Sequence, residues 1–526
     1  MSIANSIRKL REANHLSQTE FAETFKVSPQ AVQKWEQGTS HPSIPNLIAI
    51  GKHFNVSIDS LLLESSGRIV EEMRAAKKVF PDFEGIHEWE AYSKNLELEY
   101  RQSTEEGYDL TSWREVFAAV AKLPDCREKD QFADILFQTV LHAETISGYA
   151  YQEPSELSEI KALRKEYPID GKPVSDAVLK EKIQGAWLGR IIGCLLGKPI
   201  EGIRTNELLP LLKESNNYPM YRYIVSGDIT EELYDRFSFR LKGKCWADTI
   251  SAAPIDDDTN YTVLAQLLID RCGREFTPAD VGNLWLSSQA KDAYCTAERV
   301  AFRNLVNGYA PPASAISKNP YREWIGAQIR GDYFGYINLG NPELAAEMAW
   351  RDACISHVKN GIYGEMFIAA MIACAAVCEK TEDIILGGLA QIPATSRLYK
   401  DIQSVLQKYR DGVSAEQVFA DIHAQWDEFS QHDWCHTNSN AMIVVAALLY
   451  GKGDFGKSIC LAVQTGFDTD CNGATVGSIV GMQKGASVIG EQWINPLHGK
   501  LETSIFGVGT VTIDQLVEKT MEHISL

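Results

Sequence analysis

Gly466-Phe467-Asp468-Thr469-Asp470-Cys471-Asn472-Gly473 leads into an apolar window, 474–485, in which glycines recur at helical spacing. The stretch describes a helix whose first turn is crowded with carboxylates. The same arrangement occurs far upstream, where Pro254-Ile255-Asp256-Asp257-Asp258-Thr259 precedes the apolar window 261–269. A helix N-terminus stabilises nearby negative charge only in part. Two carboxylates about 4 Å apart repel by roughly 4 kcal/mol at an effective dielectric of 20, so each cluster needs solvent or a cation. Taken singly, each is explained as well by N-capping on a solvated face. Taken together, they read as two halves of one cation site. Oxygen ligands without histidine favour Mg²⁺, with Mn²⁺ as the alternative. Around the clusters, Ala/Ile/Leu-rich windows of helical period fill residues 178–526, for example 343–357, 364–378 and 438–449, and strand alternation is sparse. An all-α class follows.

At 526 residues the chain exceeds one ordinary core, so more than one domain is expected. Apolar residues make up 45% and charged residues 23%, which is globular rather than disordered composition. A net charge of -19 excludes nonspecific coating of nucleic acid or of an acidic membrane. The eleven cysteines form no C-x-x-C pair or zinc spacing, and Met1 opens no charged-then-apolar leader. A reduced, cytoplasmic protein is expected. The longest apolar runs, 366–378 and 442–450, are shorter than the roughly 20 residues that span a bilayer, so no membrane association is expected.

Residues 1–64 carry five short helical patterns and end where Ser65-Ser66-Gly67 breaks the period. Ser17 with Glu20 forms a capping box for one helix, Lys26-Val27 makes a turn, and Ser28-Pro29 opens a second helix that stops at Gly38. Phe21, Ala22, Phe25, Val27, Val32 and Trp35 are the expected packing set. Residues 65–177 show amphipathic windows such as 69–79 and 113–122, read as a helical connector or dimerisation region.

Leu16-Ser17-Gln18 through Gly38 resembles the helix-turn-helix of the Cro/phage-repressor (XRE) family, over about residues 3–64. The resemblance implies a five-helix DNA-binding domain whose second motif helix enters the major groove. Gln30, Gln33 and Lys34 would face base edges, and Gln18 the backbone or a flanking base. Arg8, Lys9 and Arg11 would add phosphate contacts. Lys26 stands where the family's turn often has glycine, which requires a non-glycine residue at φ > 0. Six Lys/Arg are balanced by six Asp/Glu over residues 1–64, so one copy should bind weakly and a homodimer would bring two half-sites together.

The chain from about 178 to 500 resembles the ADP-ribosylglycohydrolase family. The motifs are Gly193-Cys194-Leu195-Leu196-Gly197-Lys198-Pro199-Ile200-Glu201-Gly202, Asp257-Asp258-Thr259, Ser356-His357-Val358-Lys359-Asn360-Gly361 and Gly466 to Asp470, in that order. The resemblance implies an α-helical bundle with a dinuclear magnesium site that cleaves the glycosidic bond of an ADP-ribosyl group. Carried over, Asp257, Asp258, Asp468 and Asp470 would hold metal, and Glu201 would approach the substrate and act as base. The catalytic set is then Glu201, Asp257 and Asp470, with a metal-activated water attacking C1 and a carboxylate taking its proton. Two departures stand out, since the family's threonines are replaced by Asp256, an added carboxylate read as a further metal ligand, and by Cys471, whose thiol is a poor magnesium ligand. His357 and His436 are candidate substrate-binding groups, as are Gly361 and Gly364, whose N–H groups could cradle a phosphate. Structural histidines and turn glycines are the plainer readings, and Cys374 with Cys378 reads as core packing. The expected function is an Mg²⁺-dependent ADP-ribosyl or related N-/O-ribosyl glycohydrolase coupled to a sequence-specific DNA-binding domain. The alternatives are a regulator that senses an ADP-ribose or nucleoside-like ligand, and a nucleoside or ribosyl-sugar hydrolase.

Overall fold

The structure, a computed structural model, describes residues 3–56, 61, 87–168, 171, 172 and 174–526. The chain divides into two compact units, Met1–Ile86 and His87–Leu526.

In the first unit, α1 (Ile3–Ala13), α2 (Gln18–Thr24), α3 (Pro29–Glu36) and α4 (Ile44–His53) close around Ile7, Phe21, Ala22, Val32, Trp35, Ile50 and Leu61. The expected caps are present: Ser17 accepts from the Glu20 N–H while Glu20 reaches back, and Ser28 accepts from the Ala31 N–H ahead of Pro29. Lys26 has φ 53°, so the turn does place a side chain in left-handed backbone, at a modest energetic cost. The fifth helical pattern falls, apart from Leu61, outside the described residues, as does the window 69–79.

The second unit is helical almost throughout. Its only strands among the described residues are a short antiparallel pair, Lys500–Glu502 with Thr510–Thr512. Residues 87–168, read from sequence as part of a connector, belong to this unit. α5 (Leu96–Glu105) and its neighbours share a small core of Tyr92, Leu96, Leu110, Phe117, Leu136 and Phe137. Buried polar bonds then tie this segment to the rest: Arg322 pairs with Glu99 at 2.9 Å and Glu106 at 2.6 Å, and Gln102 donates to Glu323 at 2.6 Å. These partners lie more than two hundred residues away in sequence, beyond any local periodicity.

The framework of the site is a pair of long helices, α6 (Asp176–Gly197) and, at the far end of the chain, Thr469–Lys484. Between them lie α7 (Asp257–Cys272), α8 (Lys359–Ala375) and α9 (Thr437–Gly451), so that Thr469–Lys484 is α10. α6 and α10 run antiparallel with their backbones in contact along glycine faces. A Cβ on Gly185, Gly189 or Gly193 would come within 2.4, 2.0 or 1.9 Å of the carbonyl oxygens of Gly481, Gly477 or Gly473. Because only glycine permits this approach, the pairing register is fixed, and it sets the C-terminal end of α6 beside the first turn of α10.

Candidate functional site

Three chain segments converge where α6 ends and α7 and α10 begin. Asp256 caps α7, accepting the Asp258 N–H at 2.9 Å, while Asp468 is the residue preceding α10. One ligand atom each from Glu201, Asp468 and Asp470 lies within 4.8 Å of the others, as do atoms of Asp258, Asp470 and Cys471, and of Cys194, Asp256 and Asp258. Asp470 is common to the first two groups. Asp257, expected as a ligand, faces partly to solvent one position along and falls in none of these groups.

Two cations, one inside α6 and one just past its end, compensate two of the carboxylates. Arg190, fully buried, donates to Asp258 Oδ1 at 2.7 Å, and Lys198 Nζ lies 2.6 Å from Asp256 Oδ2. Both Asp256 oxygens are therefore engaged, one with Lys198 and one capping α7. The pairing also explains the electrostatics of Asp256: burial works to raise its carboxyl, but Lys198 holds it below the ordinary range. The other aspartates move the opposite way. Burial, then Asp256 and Glu201, pushes Asp257 well up; burial and Glu201 do the same to Asp470; burial outweighs Arg190 at Asp258; burial also raises Asp468. Glu201 is pushed up to about 7 by burial of its carboxyl and by Asp468 and Asp256. Its residue is nonetheless exposed, so water softens the burial contribution and the direction rests on the neighbouring charges.

A divalent cation fits this donor set. Asp258 Oδ2, Asp468 Oδ1 and Asp470 Oδ1 are buried without a hydrogen-bond partner, which is costly for carboxylates unless a cation meets them. Arg190 and Lys198 were missed as site residues in the sequence, although a lone arginine inside an otherwise apolar helix was a readable signal.

The expected substrate-binding residues are packed inside the protein. Gly361 presses on the Arg322 carbonyl and Gly364 on Thr437, where an added Cβ would approach within 2.6 and 2.5 Å. The first turn of α8 is already met by the Glu323 carboxylate, which accepts the Asn360 N–H at 3.0 Å. Close packing, rather than an open phosphate cradle, accounts for both glycines. His357 and His436 are each 0% exposed. Burial lowers both rings, His436 to about 3, so both are neutral. His436 forms a cluster with His432 and Glu105 that has the spacing of a metal site. Proton placement opposes that reading. His432 Nδ1 accepts from the Trp324 indole at 3.1 Å and His436 Nδ1 from the Asn438 N–H at 3.1 Å, and both partners can only donate. Each Nε2 therefore carries a proton, directed at Glu105 in one case and lying 4.0 Å from Glu323 in the other.

In the first unit, Gln30, Gln33 and Lys34 are exposed on α3, whose opposite side buries Val32, Trp35 and Glu36. Gln18 is half-buried and donates to Glu36 at 2.7 Å, and Arg11 grips the same carboxylate at 2.6 and 3.1 Å. Arg8 donates to the Glu36 carbonyl at 2.8 Å. Gln18, Arg8 and Arg11, expected at DNA, thus brace α1, α2 and α3 against one another.

Comparison with known proteins agrees with both units. Residues 175–525 match the family model ADP-ribosylglycohydrolase, and residues 7–61 match a helix-turn-helix model. The chain belongs to the ADP-ribosylglycohydrolase family and carries an XRE-type helix-turn-helix DNA-binding domain at its N-terminal side. Over 62 residues, 12% of this chain and 30% of that relative's length, it is 39% identical to the HTH-type transcriptional activator BcrR of Enterococcus faecalis. An uncharacterized protein of Archaeoglobus fulgidus is 22% identical over 327 residues, 61% of this chain and 93% of the relative. A solved structure described as an ADP-ribosylglycohydrolase-related protein complex covers 66% of this chain and 98% of its own, with 16% identity and a TM-score of 0.39. Among the described residues no helix is long and apolar enough to cross a membrane, and all eleven cysteines are free thiols.

Proposed function

We propose that residues 178–526 form a Mg²⁺-dependent hydrolase of ADP-ribosyl or related N-/O-ribosyl linkages, and that residues 1–64 address it to specific DNA, as a cytoplasmic homodimer on paired half-sites. The observation that carries the hydrolase reading is the shared position of Asp470. It belongs to two ligand groups at once, with buried, unpartnered oxygens in both. Glu201, Asp468, Asp470 and Asp258 would hold the metal. When bound, the cation supplies charge neutralisation and Lewis acidity at the ribose. Glu201, exposed at the edge of the site, is placed to take a proton at its carboxyl from the water that attacks C1. Asp257, partly exposed beside it, positions that water or a ribose hydroxyl. Arg190 and Lys198 hold Asp258 and Asp256 in place.

A second reading, a regulator whose hydrolase-like domain senses an ADP-ribose-like or nucleoside-like ligand without turnover, is favoured by the attached DNA-binding domain. The test is purified full-length protein with ADP-ribosylated protein, ADP-ribosylated nucleic acid and free nucleosides, with and without Mg²⁺. The hydrolase reading predicts metal-dependent release of a ribosyl product from at least one of the ADP-ribosylated substrates. Release from nucleosides alone assigns a nucleoside hydrolase, and ligand-dependent DNA affinity with no product assigns the sensor.

A further inference from the structure

Of the two ligand groups that share Asp470, one contains sulfur. Cys471 stands in the first turn of α10, 6% exposed, with a ligand atom within 4.8 Å of atoms from Asp258 and Asp470. Asp258 is 0% and Asp470 2% exposed, and Asp258 Oδ2 and Asp470 Oδ1 have no hydrogen-bond partner. The surrounding groups are already committed: Arg190 takes Asp258 Oδ1, and Lys198 and the Cys194 thiol take Asp256. Two carboxylates and one thiol therefore lie buried within reach of a single ion.

We propose that Asp258, Asp470 and Cys471 form a mixed carboxylate–thiolate position that selects a softer divalent ion, zinc above all, over magnesium. Glu201, Asp468 and Asp470 form the neighbouring all-oxygen position, which takes Mg²⁺ or Mn²⁺. The proposal rests on the metal-centre reading above and divides it into two unlike halves. Thiolate ligands favour zinc and other late first-row ions, whereas magnesium requires hard oxygens in near-octahedral array. Zinc bonds of about 2.3 Å to sulfur and about 2.1 Å to oxygen place tetrahedral ligands roughly 3.5 Å apart, a spacing inside the 4.8 Å that bounds this group. Binding breaks the Cys471 S–H bond and forms a sulfur–metal bond. The displaced proton leaves to solvent, with no change of oxidation state.

The experiment loads chelator-stripped full-length protein with Co²⁺ and records thiolate-to-cobalt charge-transfer absorption in the near ultraviolet, with metal content measured in parallel. Wild type is expected to show the band and to retain one equivalent of Zn²⁺ against excess Mg²⁺. Cys471→Thr, with unchanged far-ultraviolet circular dichroism, should lose the band, and its zinc affinity should fall by at least the ~10–100-fold that loss of a mere outer-sphere partner causes. Asp468→Asn should keep the band while losing an equivalent of Mn²⁺, which covers the case in which the cysteine variant misfolds. Stoichiometric Co²⁺ without a sulfur band in wild type, or an unaltered band in Cys471→Thr, overturns the proposal. Neither result touches the hydrolase reading, which falls instead if the band is present and no ribosyl substrate is cleaved.

Discussion

Lys198 Nζ lies 2.6 Å from Asp256 Oδ2, joining the end of α6 to the cap of α7. The pair brings one carboxylate and one cation to the centre, so together they add no net charge. Lys198→Met strands a buried carboxylate and should cost roughly 3 kcal/mol. Lys198→Met with Asp256→Thr should recover most of that loss. A denaturant-unfolding double-mutant cycle reads the coupling, and strictly additive losses would show that the two side chains act independently.

The backbone contact between α6 and α10 leaves no room for a methyl group. Gly189→Ala would drive a Cβ to 2.0 Å from the Gly477 oxygen, so the helices must separate. The expected loss is about 3 kcal/mol or more, with weakened metal uptake, because Glu201 and Asp470 ride on opposite helices or their extensions. Thermal unfolding and metal titration of the variant check both halves. Near-native stability would mean that the close register is not required.

On the DNA-binding domain, Gln30→Ala and Lys34→Ala remove exposed groups and should leave the fold intact while each weakens specific binding by about 1–3 kcal/mol. The lysine change should also reduce the salt-dependence slope of binding by about one. Glu36→Ala should instead unfold the domain, since Arg11, Arg8 and Gln18 all meet at that residue. Mobility-shift titrations at several salt concentrations, beside circular dichroism, separate the two classes of effect.

His436 gives a pH dependence with a definite sign. Burial, then the nearby His432, lowers the folded ring to about 3, against about 6.5 when unfolded. Between those values the unfolded chain binds a proton that the folded chain refuses. Stability is therefore lost as pH falls from 6.5 toward 3, by up to about 1.4 kcal/mol per unit from this group. Melting curves at pH 7.5 and 5.5 should show a larger drop for wild type than for His436→Asn. Parallel drops would remove the assignment.

Both aspartate clusters, the helix caps and the left-handed Lys26 were legible in the sequence because each is a local signal with a fixed spacing. The partners of those residues were not. Lys198 was visible beside Glu201, but its bond to Asp256 depends on how α6 and α7 meet. Gly361, Gly364, His357 and His436 stand where ligand-binding groups are expected, yet Arg322 and Gln328 from elsewhere in the chain pack against the two glycines, and both rings are buried. Gln18 and Arg11 look like DNA contacts until Glu36, far along in sequence, is seen to bind both. The segment 87–168 reads as a connector because its windows are amphipathic, and only the ion pairs of Arg322 attach it to the large unit.

The proposed cation centre joins two aspartate clusters far apart in sequence around Asp470. The most direct measurement is Mn²⁺ uptake by equilibrium dialysis of wild type and Asp470→Asn, with Asp421→Asn, a residue in none of the ligand groups, as the control. Loss of all tightly bound Mn²⁺ in Asp470→Asn, with uptake retained in the control, is the predicted result. Undiminished uptake in Asp470→Asn would contradict the account.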